Sequence, residues 1–350
     1  MTSEAVLSPE QVRTFALDVL RALGMPDDDA SITAESMVWA GLRGSTSHSL
    51  ARLDQIANRA EGGGLSLTAD WAPVREQGNT TLMDAGYGWG IVAGTYGMRH
   101  AIEKAREFGI GVTSVRNCDV TSIMGWYSWL AVEAGMIGLA VNNSAPLMAA
   151  WGGAGKLIGN QAFSIACPAD RHAPLVLDMG IGAASLGVLN DALATGAPLP
   201  PGIAASASGV PTTDARAWRN GGALLPMGGH RGFGLALMWE VLTGVLSGGG
   251  TLTELNPPNL VDKRVGSCMF LLAIEPTAFL PREEFLARVD RLIDQIHASR
   301  PASGVDRVRV PGEKRGRLTE VREHDGIPFP EADVAKLRAL ADRLGVRWPA

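Results

Sequence analysis

A chain of 350 residues, 46% hydrophobic and 19% charged, can bury a large core as one big or two smaller domains. Its net charge of −5, without a basic run, gives no electrostatic reason to expect nucleic acid or a membrane surface, and no apolar stretch reaches the roughly 18 residues that a bilayer requires. Cys118, Cys167 and Cys268 are too scattered for a disulfide framework or a metal site, and the N-terminus lacks a basic region followed by an apolar run, so a cytoplasmic protein without bound metal is expected.

Ser8-Pro9-Glu10-Gln11 is a capping box with proline at the first helical position, and Val12, Phe15, Ala16, Val19 and Leu20 continue it at helical period. Asp27 is expected to cap a second helix running to about Leu42. The pattern then breaks at Gly44-Ser45-Thr46-Ser47, and a third helix is predicted from near His48 to Ala60. With Ser47 as its cap, His48 lies in the first turn, where unpaired backbone N–H groups and the positive helix end disfavour an imidazolium. A neutral imidazole there is free to exchange a proton, and Arg52, one turn on, can grip a carboxylate of the same small molecule.

Beyond Gly62-Gly63-Gly64 the texture changes. A strand (80–85), a helix (91–108) and a strand (110–115) suggest a βαβ unit. The intervening Gly86-Tyr87-Gly88-Trp89-Gly90 has the turns of a dinucleotide loop, but its spacing is wrong and no acid is placed for a ribose. A helix is predicted over 122–134, strands over 136–142, 163–167 and 175–179, a buried helix over 235–247 and a strand over 269–274. Amphipathic helices over 282–299 and 331–344 close the chain, the second stopped by Gly345.

Two further stretches carry chemistry. Asp178 ends the apolar run Leu175-Val176-Leu177 beside Met179-Gly180, so it either caps the next turn or pairs with a partner that offsets its burial. Gly228-Gly229-His230-Arg231-Gly232 sets two donors at a helix start, which suits a phosphate, although a charged loop reads the same way.

Arg43-Gly44-x-x-Ser47-His48-x-x-x-Arg52-Leu53 resembles the signature of the type-2 malate/L-lactate dehydrogenase family. Asp84-Ala-Gly-Tyr-Gly-Trp-Gly, Trp151-Gly-Gly, Val176-Leu-Asp-Met, Gly209-Val-Pro-Thr-Thr-Asp and Leu225-Pro-Met-Gly-Gly-His-Arg-Gly-Phe-Gly follow in that family's order, so the resemblance spans nearly the whole chain. It implies an α/β fold with a mixed, largely antiparallel central sheet, a non-Rossmann NAD(P)-binding domain (79–281) and a helical layer formed by both termini (1–78 with 282–350). It also implies a homodimer with the active site near the interface, and NADPH or NADH as cofactor, NADP slightly preferred.

Residue by residue, the resemblance makes His48 the acid/base, oriented by Asp178, with Ser47 and Arg52 on the substrate side. The cofactor wall is Pro174 to Gly180, including Leu177, Asp178, Met179 and Gly180; Ser144, His230, Arg231 and the loop Gly312-Glu313-Lys314 complete the cofactor set. Val120 stands where some members carry a second histidine, which leaves His48 alone for proton transfer. The reaction implied is hydride transfer between nicotinamide and a 2-oxo or 2-hydroxy acid or a cyclic imine carboxylate; the alternative is a degenerate relative that binds cofactor or metabolite without turnover.

Overall fold

The computed structural model describes residues 4–349. A strand, β1 (Glu4–Leu7), precedes α1 (Pro9–Ala22), whose start is the expected capping box: Ser8 Oγ accepts the Gln11 N–H at 3.1 Å and Gln11 Oε1 accepts the Ser8 N–H at 2.8 Å. In α2 (Asp27–Leu42) the cap differs from expectation. Pro26 holds it without a side-chain acceptor, and Asp27, Asp28 and Asp29 lie inside the helix, where their carboxylates face the positive dipole end.

The third helix also starts later than its pattern suggests. Thr46–His48 form a separate 3-10 turn, Ser49 turns the chain away at φ −98° and ψ −138°, and α3 (Ala51–Glu61) begins after Leu50, with no side-chain cap. Ser47 therefore does not cap it and His48 is not in its first turn. The carbonyl of Ser45 takes the His48 N–H at 2.8 Å, so a local turn competes with the helix for these small polar residues.

Next come β2 (Ala72–Gln77), β3 (Thr80–Asp84), α4 (Gly90–Phe108), β4 (Ile110–Cys118), α5 (Met124–Glu133), β5 (Ile137–Asn142), β6 (Phe163–Cys167) and β7 (Leu175–Met179). A smaller unit follows: α6 (Leu186–Thr195), β8 (Ala204–Ala205), β9 (Pro211–Thr212), α7 (Ala215–Arg219) and β10 (Ala223–Leu224). The chain ends with α8 (His230–Glu240), β11 (Ser267–Ile274), α9 (Arg282–His297), α10 (Glu313–Asp325), β12 (Ile327–Pro330) and α11 (Glu331–Leu344).

The main sheet has the order β2-β3-β4-β11-β5-β6-β7, and only β3–β4 is a parallel pair. Its centre is β11, apolar throughout and drawn from late in the chain, which suits a strand covered on both faces. The edge strand β2 is exposed along its length and bulges between Pro73 and Arg75, so it carries no apolar alternation for a sequence reading to find. The architecture is the mixed, mostly antiparallel α/β fold expected. The glycine cluster after β3 is filled by the protein itself, since a Cβ at Gly88 would lie 2.0 Å from the Trp71 ring.

The termini are stitched together. β1 pairs antiparallel with β12, α11 packs on α1 and α3, and α10 packs on α2. The segment expected as a buried helix over 235–247 is instead α8 continued by a π-helical turn, Val241–Val245, with an apolar face turned outward. Leu237, Met238, Val245 and Leu246 are 44 to 60% exposed, while Ala236, Glu240, Thr243 and Gly244 face inward. Apolar periodicity marks a covered face without saying whether the cover is the same chain.

Asp119, at the end of β4, meets Arg59 of α3 in an ion pair with both side chains fully buried. Arg59 Nε donates to both carboxylate oxygens at 3.0 and 3.1 Å, and Nη2 donates to Oδ2 at 2.6 Å. The remaining donors reach the carbonyls of Pro258, Leu260, Lys263 and Gly64. Removing one partner strands a buried charge, so Asp119→Asn or Arg59→Met is expected to lower the unfolding free energy by about 3–5 kcal/mol in urea titrations. Arg288→Met, at the exposed pair with Glu284, should cost less than about 1 kcal/mol.

Candidate active site

His48 sits at the end of the 3-10 turn, between the C-terminus of α2 and the start of α3. Its Nδ1 lies 3.1 Å from Ser47 Oγ. Burial, reinforced by the guanidinium groups of Arg52 and Arg315, pushes its pKa from 6.5 down to about 3, so the ring is neutral. The neutral state matches the expectation, but the helix end does not produce it. Buried surroundings and two cations do.

Arg52, in the first turn of α3, is driven by burial to a pKa of about 10 and remains charged at neutral pH. One terminal nitrogen, Nη1, donates to Gln55 Oε1 at 2.6 Å. Its Nε is buried with no hydrogen-bond partner among the described residues. An unpaired donor on a buried cation is costly unless an acceptor, best an anion, meets it.

Asp178 lies on β7, and burial raises its carboxyl pKa from 3.8 to about 6 against the opposing pull of Arg315 and the Gly125 N–H. Its Oδ2 is 3.5 Å from Arg315 Nη1. No hydrogen bond joins Asp178 to His48 among the described residues; Arg315 stands between them, donating at the same time to Ser45 Oγ at 3.0 Å. The sequence reading missed Arg315, whose only signal was its place three residues after Gly312.

β7 is an edge strand, and its free edge organises the remaining residues. The Val176 N–H points away from β6 to the Pro311 carbonyl at 3.1 Å, so by alternation the backbone N–H and C=O of Asp178 face outward too. Leu177 and Met179 turn their side chains into an apolar core, and by the same alternation their backbone groups pair with β6 rather than facing the edge. At one end of β7 stand Pro174 and the Gly312-Glu313-Lys314 turn. Beyond the other end, Met227 N–H bonds the Ile181 carbonyl at 2.8 Å and ties down the loop leading to His230 and Arg231, both exposed at the α8 N-terminus. Ser144 is joined to the same end: its Oγ accepts the Asn160 N–H at 3.1 Å, and Asn160 Oδ1 accepts the Gly182 N–H at 2.8 Å. A Cβ at Gly180 would meet Asn160 Nδ2 at 2.2 Å, so that position has room for glycine alone.

Three cavities of about 50, 370 and 360 Å³ run past this edge, sharing Pro174 and Gly316 between the first two and Glu313 and Arg317 between the last two. The first contains Asp178 and Arg315, and the last is lined by Arg309 and Lys314. Together they line a trough whose far end is basic, which favours a negatively charged group there. The Glu313 carboxylate, which lines both of the last two cavities, is already engaged by His297 Nε2 at 3.1 Å, by Arg307 and by the Val310 N–H, and so holds the loop. A larger cleft, about 540 Å³, lies on the far side of Trp39, Arg43 and Trp129, and there Arg13 is paired with Glu35.

A family model described as malate/L-lactate dehydrogenase matches residues 7–338. The malate dehydrogenase of Pyrococcus abyssi is 36% identical over 345 residues, covering 97% of this chain and 94% of that protein. Among solved structures, the sulfolactate dehydrogenase of Methanocaldococcus jannaschii superposes with a TM-score of 0.92 at 34% identity, over 98% of both chains. The delta1-piperideine-2-carboxylate reductase of Pseudomonas syringae pvar. tomato gives 0.87 at 25% identity, over 96% of this chain and 100% of that one.

The two perturbed groups pull stability in opposite directions with pH. His48, depressed in the fold, contributes stability that is complete above pH 6.5 and is lost as pH falls toward 3. Asp178, raised in the fold, contributes stability that is complete below pH 3.8 and is lost as pH rises through 6. Between pH 6.5 and 4, His48→Asn should therefore lose less urea resistance on acidification than the wild-type chain, and Asp178→Asn should lose more. Parallel curves for all three chains would contradict the assignment of these environments.

Proposed function

The chain belongs to the malate/L-lactate dehydrogenase family, and on that premise we propose that it moves a hydride between a nicotinamide cofactor and a 2-oxo/2-hydroxy acid, with His48 as acid/base. The observation that carries this reading is a neutral imidazole beside a buried guanidinium with an unpaired donor. Arg52 grips the substrate carboxylate. His48, neutral at rest, takes the proton of the 2-hydroxyl in oxidation and returns it in reduction. Ser47 Oγ at Nδ1 orients the ring, and a carboxylate bound on Arg52 cancels one of the two charges that depress His48, so the imidazole accepts a proton more readily with substrate present.

The trough along β7 fits an extended dinucleotide, with Asp178 at the nicotinamide end and Arg309 and Lys314 at the adenosine end. Bound there, the nicotinamide supplies or accepts the hydride at its C4 carbon. The basic far end favours a 2′-phosphate, hence NADPH over NADH. A cyclic imine carboxylate is the second reading of the substrate, favoured by the likeness to the Pseudomonas reductase and by Val120, which leaves one proton-transfer residue. The outward apolar face of α8 and its π-helical continuation suits a homodimer contact, and three free thiols suit a cytoplasmic protein.

Oxidation of NADPH and NADH, followed by absorbance against a panel of 2-oxo acids and cyclic imine carboxylates, tests the reading; cofactor binding without turnover across the panel would make the chain a binder. His48→Asn is expected to cut kcat by ~10²–10⁴-fold with cofactor affinity, read by nicotinamide fluorescence, unchanged. Arg52→Met should raise KM for the acid by about 10–100-fold, the worth of a charged hydrogen bond. Lys314→Ala should raise KM for NADPH and leave NADH unaffected.

A further inference from the structure

Helix α10 touches both halves of the site, and one of its faces makes the contact with the histidine turn. Arg315, Leu318 and Arg322 recur at helical spacing and so share that face. Arg322 Nη1 donates to the Gly41 carbonyl at 2.6 Å. Leu318 packs on Gly44 so closely that a Cβ there would lie 2.7 Å from it, and Gly44 has φ +80° besides. Arg315 donates to Ser45 Oγ. The three partners are the end of α2 and the start of the turn that presents His48. At the N-terminus of the same helix, Gly312 abuts β7, where an added Cβ would stand 2.8 Å from the Val176 nitrogen.

We infer that Arg315 is a positioning residue for the reaction: one guanidinium, bonded to Ser45 and paired with Asp178, sets the histidine turn against the cofactor edge of β7. The inference rests on the reading of His48 as the acid/base group. It goes beyond that reading because it makes a residue on α10 govern the geometry and the protonation of two groups that do not touch each other. The charges in play are few. His48 faces Arg52 and Arg315; Asp178 faces Arg315 and the Gly125 N–H; Arg43, stacked 4.1 Å over Trp39 and 4.3 Å over Trp129, forms the next layer with Glu133 and Glu323. A neutral side chain at 315 removes one cation from His48 and the counter-charge of Asp178, so both take up a proton at higher pH.

The test is the pH profile of kcat/KM in the direction of 2-hydroxy-acid oxidation, where His48 must be neutral, for Arg315→Met, Arg315→Lys and Ser45→Ala, with nicotinamide fluorescence to follow cofactor binding. Arg315→Met should move the acidic limb up by about one pH unit, the shift expected on losing a charge a few ångströms away, and lower kcat. Arg315→Lys should keep the limb near its wild-type place because the charge remains. Ser45→Ala should lower kcat without moving the limb, since it frees the turn and leaves the Asp178 pair intact. If the Met variant does not accumulate, Arg315→Gln, which keeps a donor but not the charge, takes its place. A limb in the neutral variant that superposes on wild type would overturn the inference, whether or not kcat falls. Turnover retained in His48→Asn would instead remove the reading beneath it, so the two failures are told apart.

Discussion

The ion pair between Arg59 and Asp119 is the constraint on which the placement of the site depends. Two unit charges taken wholly out of water are tolerable only because each is saturated: four carbonyls and both carboxylate oxygens surround the guanidinium. The pair joins α3, the end of β4 and the loop through Pro258 and Lys263, three segments far apart in the chain. Arg52 lies two turns before Arg59 on the same helix, so the clamp that immobilises one end of α3 also orients the side that carries Arg52, the proposed carboxylate anchor.

Around His48 the protein has set cations rather than the carboxylate that usually accompanies a catalytic imidazole. Arg52 and Arg315 both repel a proton from the ring, and Asp178 is drawn to Arg315 instead of to the histidine. Two cations against one carboxylate leave an excess of positive charge around the ring. On the proposed reading, a carboxylate held by Arg52 would cancel part of the charge that depresses the imidazole, which couples binding to proton transfer.

Topology supplies the other half. With β11 inserted at the centre of the sheet, β7 is pushed to the rim, where its outward backbone groups are unspent save for the bond to Pro311. An edge that would invite association with another strand is bordered instead by Gly312, Arg315 and the trough that ends at Lys314. The polar chain from Ser144 through Asn160 to Gly182 holds the far end of that edge. The proposed substrate anchor on α3 and the α10 border of the proposed cofactor edge thus come from distant parts of the sequence, brought together because α10 packs on α2.

Local chemistry in the sequence determined much. The capping box at Ser8, the apolar strands from β3 to β7 and the burial of Asp178 all follow from spacings of a few residues, and the family resemblance rests on the same short motifs. What spacing cannot express was decided by tertiary structure. β2 has no apolar face because it is an edge, and the strands of the smaller sheet are two residues each, too short for any period. The 3-10 turn at Thr46 replaced a helix start because backbone bonds within the turn outcompeted a side-chain cap. Arg315 entered the site through contacts with residues 270 and 137 positions away in the chain. Periodicity records which side of an element avoids water, whereas the field at His48 is the sum of charges that meet only after the chain has folded.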